Sequence, residues 1–481
     1  MQDGTNVENS NTPKIVKTDV GAKDGQNKCP KCGSTDISLN INNGHLRCSF
    51  CRHEFDLEKL DGFTEDISKL QGQVMASGTQ DISASANDIL TFKCSSCGSE
   101  VVIDTSSATQ ARCHWCRNIL SVNEQIPNGS VPDVVLPFVV KKEEAKEEIQ
   151  KFVGKRKFFA HPKFTQEFTT NNIMGVYFPY MLVDVNAHST LEGQAEEEIR
   201  HYTEQEGDRQ VTYYDANLYN VKRDFDIVIE GLTVESSTDK LYKTSDKTSN
   251  VINAIMPFDV ENAVKWNANY LRGYSSEKRD VNVEDLKSLV NQQAKDIAKF
   301  AVNDTLTKYD RGVLWSTQEL AVKGEQWKAA YLPVWLYSYQ QVKKDRKLLH
   351  YVAVNARTKE TMGSVPIHMP KLIGICAIIE FFSFLAVVFV DWDYSWIFLL
   401  TGFIYFFIIF SRYRNQAARH KHELETTRKV SNLKKEDMLV QRKTRLTNSH
   451  MYGANNKSVG SDNFATQVLN EINFINKDIH K

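Results

Sequence analysis

The sequence predicts a multidomain protein with two small cysteine-rich β modules, an α+β middle domain and an α-helical transmembrane hairpin. Three observations predict this: a repeated C-x2-C pattern before residue 122, mixed strand and helix patterns at 132–366, and two apolar runs at 372–410. The predicted order is a disordered leader at 1–26, cysteine-rich modules at 27–58 and 92–122 joined by a linker at 59–91, the α+β domain at 132–366, the hairpin at 372–410 and a basic, partly helical tail at 411–481.

Eight of the nine cysteines form a repeated metal-ligand pattern: Cys29, Cys32, Cys48, Cys51, Cys94, Cys97, Cys113 and Cys116. Fifteen residues separate the two C-x2-C pairs in each copy. A tetrahedral Zn²⁺ ion needs four ligands, and one C-x2-C pair supplies two thiolates from a single tight turn. The pattern therefore predicts two zinc ribbons, each with one structural Zn²⁺ and no open coordination position. Disulfides are the competing interpretation, and the cytosolic location predicted below disfavours them.

The surroundings of the cysteines bear on what the ribbons bind. His45, His53 and His114 lie nearby, but the cysteines already fill both sites, so we expect surface histidines. Residues 28–58 carry four basic and four acidic side chains, and residues 93–122 carry three and two. Nucleic-acid affinity depends mainly on neutralising phosphates. The near-neutral ribbons therefore favour a protein-binding role over nucleic acid.

The two apolar runs, 372–390 and 396–410, are split by the short acidic segment 391–395. The first is close to the ~20 apolar residues that a helix needs to cross a bilayer, and interfacial aromatic residues extend the second. Lys and Arg flank the hairpin and are missing from its connection. We therefore expect two membrane spans with both termini cytoplasmic. The alternative is a buried core hairpin, which would normally keep a polar face.

The middle domain contains an internal sequence repeat. Tyr-x-Pro-x-x-Leu occurs at 177–182 and again at 331–336, and a Pro-Phe pair precedes each copy, at 137–138 and 257–258. A degenerate duplication would produce this arrangement, and so would chance similarity between two apolar strands. Both interpretations stay open. The patterns also predict a strand at 134–140 and helices at 64–74, 141–152 and 283–304.

No catalytic motif is present. The chain has no phosphate-binding glycine loop, no metalloprotease H-E-x-x-H and no G-x-S-x-G nucleophile turn. His161, His188 and His201 have acidic neighbours but no paired nucleophile in the sequence pattern. We therefore predict that the protein is not an enzyme.

Four segments, together with the cysteine pattern, carry a resemblance to a known family: 135–138, 175–179, 270–278 and 331–335. Between residues 29 and 410 the chain resembles bacterial YdjG-like membrane proteins with N-terminal TFIIB-type zinc ribbons and a C-terminal transmembrane hairpin. The resemblance implies a multi-pass protein of the bacterial cell membrane. It also implies a non-enzymatic, membrane-anchored adaptor that recruits SPFH-type or PspA-like envelope-stress proteins, forming a hetero-oligomer. The alternative function is a membrane-tethered nucleic-acid-binding regulator.

The tail has two distinct parts. Residues 412–445 contain eleven Lys and Arg against four acids, so we expect them to lie against anionic membrane lipid. Farther on, Ser461 is a candidate N-cap for a helix with an apolar stripe at Phe464, Val468, Ile472, Ile475 and Ile479. The stripe predicts docking on a protein partner or a membrane surface. The alternative is a frayed, solvated end, because short isolated helices are marginal in water.

Overall fold

A computed structural model gives the structure of the protein. It describes residues 13–16, 29–32, 34, 37–40, 45–56, 60–79, 89–93, 99–104, 111–115, 119–120, 125–126, 132–166, 172–237, 255–266, 270, 274–277, 279, 281–343, 346–389, 400–414 and 427–447.

Strands form most of the structure. They are β1 (Lys14–Val16), β2 (Ile37–Leu39), β3 (Leu46–Cys48), β4 (Glu54–Phe55), β5 (Gly72–Ala76), β6 (Ile89–Lys93), β7 (Glu100–Asp104), β8 (Ala111–Arg112), β9 (Ile119–Leu120), β10 (Gln125–Ile126), β11 (Val134–Val135), β12 (Ile173–Glu206), β13 (Arg209–Glu235), β14 (Val264–Lys265), β15 (Ser275–Glu277), β16 (Val313–Lys343), β17 (Arg346–Asn355), β18 (Thr361–Gly363) and β19 (Thr427–Thr447). The helices are α1 (Lys142–Gly154), α2 (Pro162–Gln166), α3 (Val283–Ala301), α4 (Met369–Phe389) and α5 (Thr401–Arg414). The predicted fold class is therefore wrong, because the protein is mainly β.

One fourteen-stranded sheet dominates, with the central order β1-β5-β16-β12-β15-β7-β6-β10. β13 pairs with β12 and β19, and β17 pairs with β16. Side chains alternate between the two faces of a strand, and burial follows this period in β12, where Ala187, Ser189 and Leu191 are buried. Two smaller sheets, β2-β3-β4 and β8-β9, belong to the cysteine-rich modules.

The described chain divides into two compact units. The first contains the described parts of 1–186, 228–293 and 322–428, and its largest buried side chains include Trp327, Tyr177 and Tyr180. The second contains those of 187–227, 294–321 and 429–481, and its fully buried side chains include Arg223 and Tyr214. Each unit therefore has its own buried side chains.

Each of the two repeated segments pairs with a short strand from the other half of the repeat. Tyr331 of β16 lies opposite Val135 of β11, and Tyr177 of β12 lies opposite Ser276 of β15, both in parallel pairings. In each case a helix follows the short strand: α1 begins seven residues after Val135, and α3 begins seven residues after Ser276. Each half of the repeat thus pairs with a strand from the other half. This reciprocal pairing is the arrangement that a duplication would produce.

The predicted transmembrane hairpin is wrong. Within the described residues, no helix combines the length and the apolar character needed to cross a bilayer. The second apolar run begins at 396, but α5 begins only at Thr401 and has 14 residues, about 21 Å of helix. In α4, Glu380 interrupts the apolar run, and Lys371 precedes it. The same finding overturns the predicted multi-pass location in the bacterial cell membrane.

Several local predictions also needed correction. The strand expected at 134–140 is limited to Val134–Val135, since Pro137 cannot donate to a ladder. The helix expected at 64–74 is replaced by a 3₁₀ turn, Ile67–Lys69, and by β5. The amphipathic stripe after Ser461 lies outside the described residues.

Candidate metal centre

A small sheet positions the cysteines of the first module. β2 and β3 form a hairpin in which Ile37 lies opposite Cys48, and β4 pairs with β3. Cys48 is the last residue of β3, and Cys51 lies in the turn that leads to β4. Arg52 closes this turn, because its N–H donates to the Cys48 carbonyl at 2.9 Å and its φ of 58° reverses the chain. The turn brings both sulfur atoms of the pair to one side.

The four sulfur atoms of Cys29, Cys32, Cys48 and Cys51 converge, and all lie within 4.8 Å of one another. The Cys29 and Cys51 sulfurs are 3.5 Å apart, and those of Cys32 and Cys48 are 3.6 Å apart. Zn–S bonds of about 2.3 Å in a tetrahedron imply sulfur–sulfur distances of about 3.8 Å. The cluster therefore fits a zinc ion, and its four thiolates would complete the coordination shell.

Backbone N–H groups point at the first sulfur of each pair. The N–H of Cys51 is the main cause that lowers the pKa of the Cys48 thiol to about 6. Burial acts to raise the pKa of the Cys29 thiol, but the N–H groups of Cys32 and Lys31 contribute to a net lowering. Hydrogen bonds to a sulfur favour its thiolate form, which is the form that binds metal. The backbone of both turns is thus arranged to support thiolate ligands.

Cys32 shows why the cluster needs a cation. The N–H of Ser34 acts to lower the pKa of the Cys32 thiol, but loss of water and the three neighbouring sulfur atoms raise it to about 12. Several thiolates this close repel one another unless a positive ion lies between them. A divalent metal supplies that charge, and a thiol that coordinates it is deprotonated.

The described part of the second module contains two antiparallel strand pairs. β6 pairs with β7, with Lys93 opposite Glu100, and β8 pairs with β9, with Arg112 opposite Ile119. Cys113 is described and fully buried. The other three predicted ligands lie outside the described residues: Cys94, Cys97 and Cys116. The structure therefore brings together four of the eight predicted ligands.

His114 is fully buried, so the expectation of a surface histidine was wrong. Its Nε2 lies 3.5 Å from Oε1 of Glu277, and the indole N–H of Trp115 donates to the same oxygen. The Trp115 ring packs edge-on against Phe178 and Tyr351. The residues after Cys113 are thus part of the core. A Trp inside a cysteine turn was the available signal, since so large an apolar ring is usually buried.

Glu277 is the site residue that sequence reasoning missed. It lies on β15, opposite Val101 of β7, which is a strand of the second module. A buried carboxylate requires hydrogen-bond partners, and His114 and Trp115 provide them. No local sequence signal marks Glu277, because its partners lie more than 160 residues away in the chain.

The three histidines considered as catalytic groups do not form a nucleophile pair within the described contacts. Their neighbours are Asp224 at 3.2 Å and Asp226 at 2.8 Å for His188, Glu198 at 3.0 Å for His201, and the His368 ring for His161. His–carboxylate pairs of this kind are common on protein surfaces. The absence of catalysis stays a prediction.

The fold and the site together define a class: a mainly β protein with a four-cysteine centre able to hold one structural zinc ion. The chain is similar to the uncharacterized protein YdjG of Bacillus subtilis (strain 168), with 24% identity over 345 residues. The match covers 72% of this chain and 91% of that protein, so the chain is YdjG-like over most of its length. No protein-family model matches the chain, and no solved structure matches it.

Proposed function

We propose that the protein is a non-enzymatic zinc-ribbon adaptor that binds a protein partner through the exposed apolar face of α4 and α5. The observation that carries this proposal is a set of ten large apolar side chains on the helix pair, each 47–63% exposed: Ile373, Ile378, Phe381, Phe382, Phe384, Leu400, Phe403, Ile404, Phe407 and Ile408. Exposed apolar patches of this kind mark interaction sites.

The helix pair has contacts that would hold its apolar face ready for a partner. At Gly402 the helices approach closely, and the Gly402 N–H donates to Oε2 of Glu380 at 2.8 Å. At the end of α5, the buried Tyr413 hydroxyl accepts from the N–H of Phe159 at 2.8 Å. A preorganised surface loses less conformational freedom on binding. These contacts therefore support α4 and α5 as a docking surface.

The resemblance to YdjG-like proteins makes SPFH-type and PspA-like proteins the partners to test first. Purified candidates would be titrated against the full chain and against a Phe382→Asp/Phe407→Asp variant. We expect at least a tenfold loss of affinity in the variant, or about 1.4 kcal/mol, because two apolar anchors become charged. Ile199→Asp, an exposed apolar position in the second unit, is the matched control. Equal weakening by the control, or binding of neither candidate, would contradict this proposal.

The proposal includes two structural zinc ions, one in each cysteine-rich module. The converging sulfur atoms of Cys29, Cys32, Cys48 and Cys51 support the first site, and the repeated spacing supports the second. Metal analysis of the purified chain should give about two zinc ions. Cys48→Ser should remove one ion and unfold the first module while the second keeps its ion. A single ion, or loss of both on this change, would count against two independent sites.

A second candidate function is nucleic-acid binding, and β19 is the observation that favours it. This strand contains seven Lys and Arg against two acids, and most of its described side chains are exposed. Binding through such a strand would weaken steeply with salt, because each phosphate contact releases counterions. A titration of DNA and RNA at several salt concentrations would test it. Binding that does not depend on salt, or no binding, would contradict this second function, and the adaptor function would remain.

A further inference from the structure

One end of the helix pair carries a cluster of positive side chains. The segment 155–159 packs against this end. Nε of Arg156 donates to the Arg412 carbonyl at 3.1 Å, near the end of α5. Nζ of Lys371 donates to the Phe158 carbonyl at 2.7 Å, near the start of α4. We call this cluster the basic end, and it consists of Lys155, Arg156, Lys157, Lys371 and Arg412.

The cations of the basic end lack carboxylate partners. Within the part of the chain that the structure describes, none of the five side chains forms an ion pair with Asp or Glu. Two neighbouring lysines do: Nζ of Lys151 lies 2.7 Å from Glu148, and Nζ of Lys359 lies 2.9 Å from Glu144. The positive charge of the basic end is therefore not compensated by these contacts.

The charges at this end also repel one another. Burial, and after it the charge of Arg412, lowers the pKa of Arg156. The other four side chains are exposed, and lysine and arginine are positively charged at neutral pH. An anionic group bound between them would offset the repulsion. The basic end is therefore suited to an anionic ligand.

Apolar surface begins next to the basic end. Phe158 is 61% exposed, and Nζ of Lys371 lies 3.8 Å from the centre of its ring. Ile373, two residues after Lys371, is also exposed. On α5 the exposed Ile408 lies four residues before Arg412, so the two share one face of the helix. A ligand that covers both surfaces must be apolar along its length and anionic at one end.

We infer that the protein partner of the apolar face of α4 and α5 presents carboxylates to the basic end. An amphipathic helix with Asp or Glu at one end of its apolar stripe has this chemistry, and such helices commonly bind apolar grooves and faces. The inference rests on the proposed function and adds the charge and direction of the partner. Complementary charges steer association and fix the orientation of the bound helix.

The test uses three synthetic peptides of about 18 residues that share one apolar helical stripe and carry Glu, Gln or Lys at three positions near one end. Fluorescence anisotropy would measure their binding to the full chain. At low salt the Glu peptide should bind roughly fivefold or more tightly than the Gln peptide, because several exposed ion pairs each contribute a small amount. The Lys peptide should bind most weakly. At about 1 M salt the Debye length is about 3 Å, so the Glu and Gln peptides should bind equally.

Matched variants locate the contact. Lys157→Gln/Arg412→Gln should remove most of the preference for the Glu peptide, and both side chains are exposed, so the fold should tolerate the change. The control Lys69→Gln/Lys151→Gln removes two exposed charges that have carboxylate partners, and it should keep the preference. A preference that persists in the first variant, or that disappears in both, would overturn the inference.

The Phe382→Asp/Phe407→Asp variant separates this inference from the proposed function. It should weaken the Glu and Gln peptides by the same factor. Equal binding of these two peptides to the unchanged chain would overturn the inference and leave the apolar face as a docking surface. A preference for Glu in binding that the variant does not weaken would contradict the apolar face instead. Failure of all three peptides to bind, or displacement of the Glu peptide by phosphatidylglycerol vesicles, would also overturn the inference.

Discussion

At the scale of single residues, His350 makes the stability of the fold sensitive to acid. Burial, with a smaller effect from nearby His161, lowers the pKa of His350 from 6.5 to about 4. The folded state therefore favours the neutral ring, while the unfolded chain protonates near pH 6.5. We expect stability to be fully present above pH 6.5 and to fall as the pH drops towards 4, by on the order of 3 kcal/mol.

Chemical denaturation at a series of pH values would measure this effect. In His350→Gln the part of the slope due to this ring should disappear, leaving a flatter profile between pH 6.5 and 4. His201→Gln is the control, since that ring is exposed and lies 3.0 Å from Glu198. An unchanged profile in the His350 variant would show that another group controls the acid sensitivity.

The cysteine cluster could be predicted from the sequence because the spacing that defines it is local. Two pairs with fixed spacing define a ligand set without any knowledge of the fold. The role of Glu277 could not be predicted from the sequence, since its partners His114 and Trp115 are more than 160 residues away in the chain. Only the pairing of β15 with β7 brings them together.

At the scale of elements, the contact between α4 and α5 depends on a glycine. A Cβ atom at Gly402 would lie 2.6 Å from the Cys376 carbonyl oxygen, which is backbone and cannot move easily. Gly402→Ala should therefore destabilise the protein by about 1–3 kcal/mol despite the better helix propensity of Ala. Gly374→Ala is the matched control within the same helix pair, because no atom lies near its Cβ position. Thermal unfolding should show a gain of about 0.5–1 kcal/mol for that control.

β19 is attached to β13 by a buried ion pair. The Arg223 guanidinium is fully buried and binds Asp437 in addition to Thr305. Asp437→Ala would leave this charge without its carboxylate, which typically costs about 3–5 kcal/mol. We expect the midpoint of denaturant unfolding to fall accordingly. Glu436→Ala, a change at the neighbouring residue on the other face, should have a small effect; a similar loss in both variants would contradict the role assigned to Asp437.

The failures to predict individual elements have physical explanations. The apolar run at 396–410 is short by itself and was predicted to span because interfacial aromatic residues extend it, but its helix begins at Thr401. No element was predicted for the acidic segment 195–206, which has no apolar alternation. It forms part of β12, where cross-strand ion pairs such as Arg200 with Asp215 replace apolar packing. Such pairs are not visible along a single sequence.

At the scale of the whole molecule, the reciprocal strand pairing makes the folding of each half of the repeat dependent on the other half. β11 needs β16, and β15 needs β12, so neither half contains all of its partners. We expect fragments 1–246 and 247–481 to copurify when expressed together and to unfold cooperatively. Each fragment alone should lack a cooperative transition. A cooperative transition in either isolated fragment, measured by circular dichroism, would show that the halves are autonomous.

The same pairing has a consequence for the order of events at the ribosome. β11 is synthesised early, but its partner Tyr331 is made almost two hundred residues later. At about 5–20 residues per second, the nascent strand waits roughly 10–40 s for its neighbour. During that interval an apolar edge is uncovered, so ribosome-associated chaperones should engage nascent chains that end before residue 331 more strongly than longer ones.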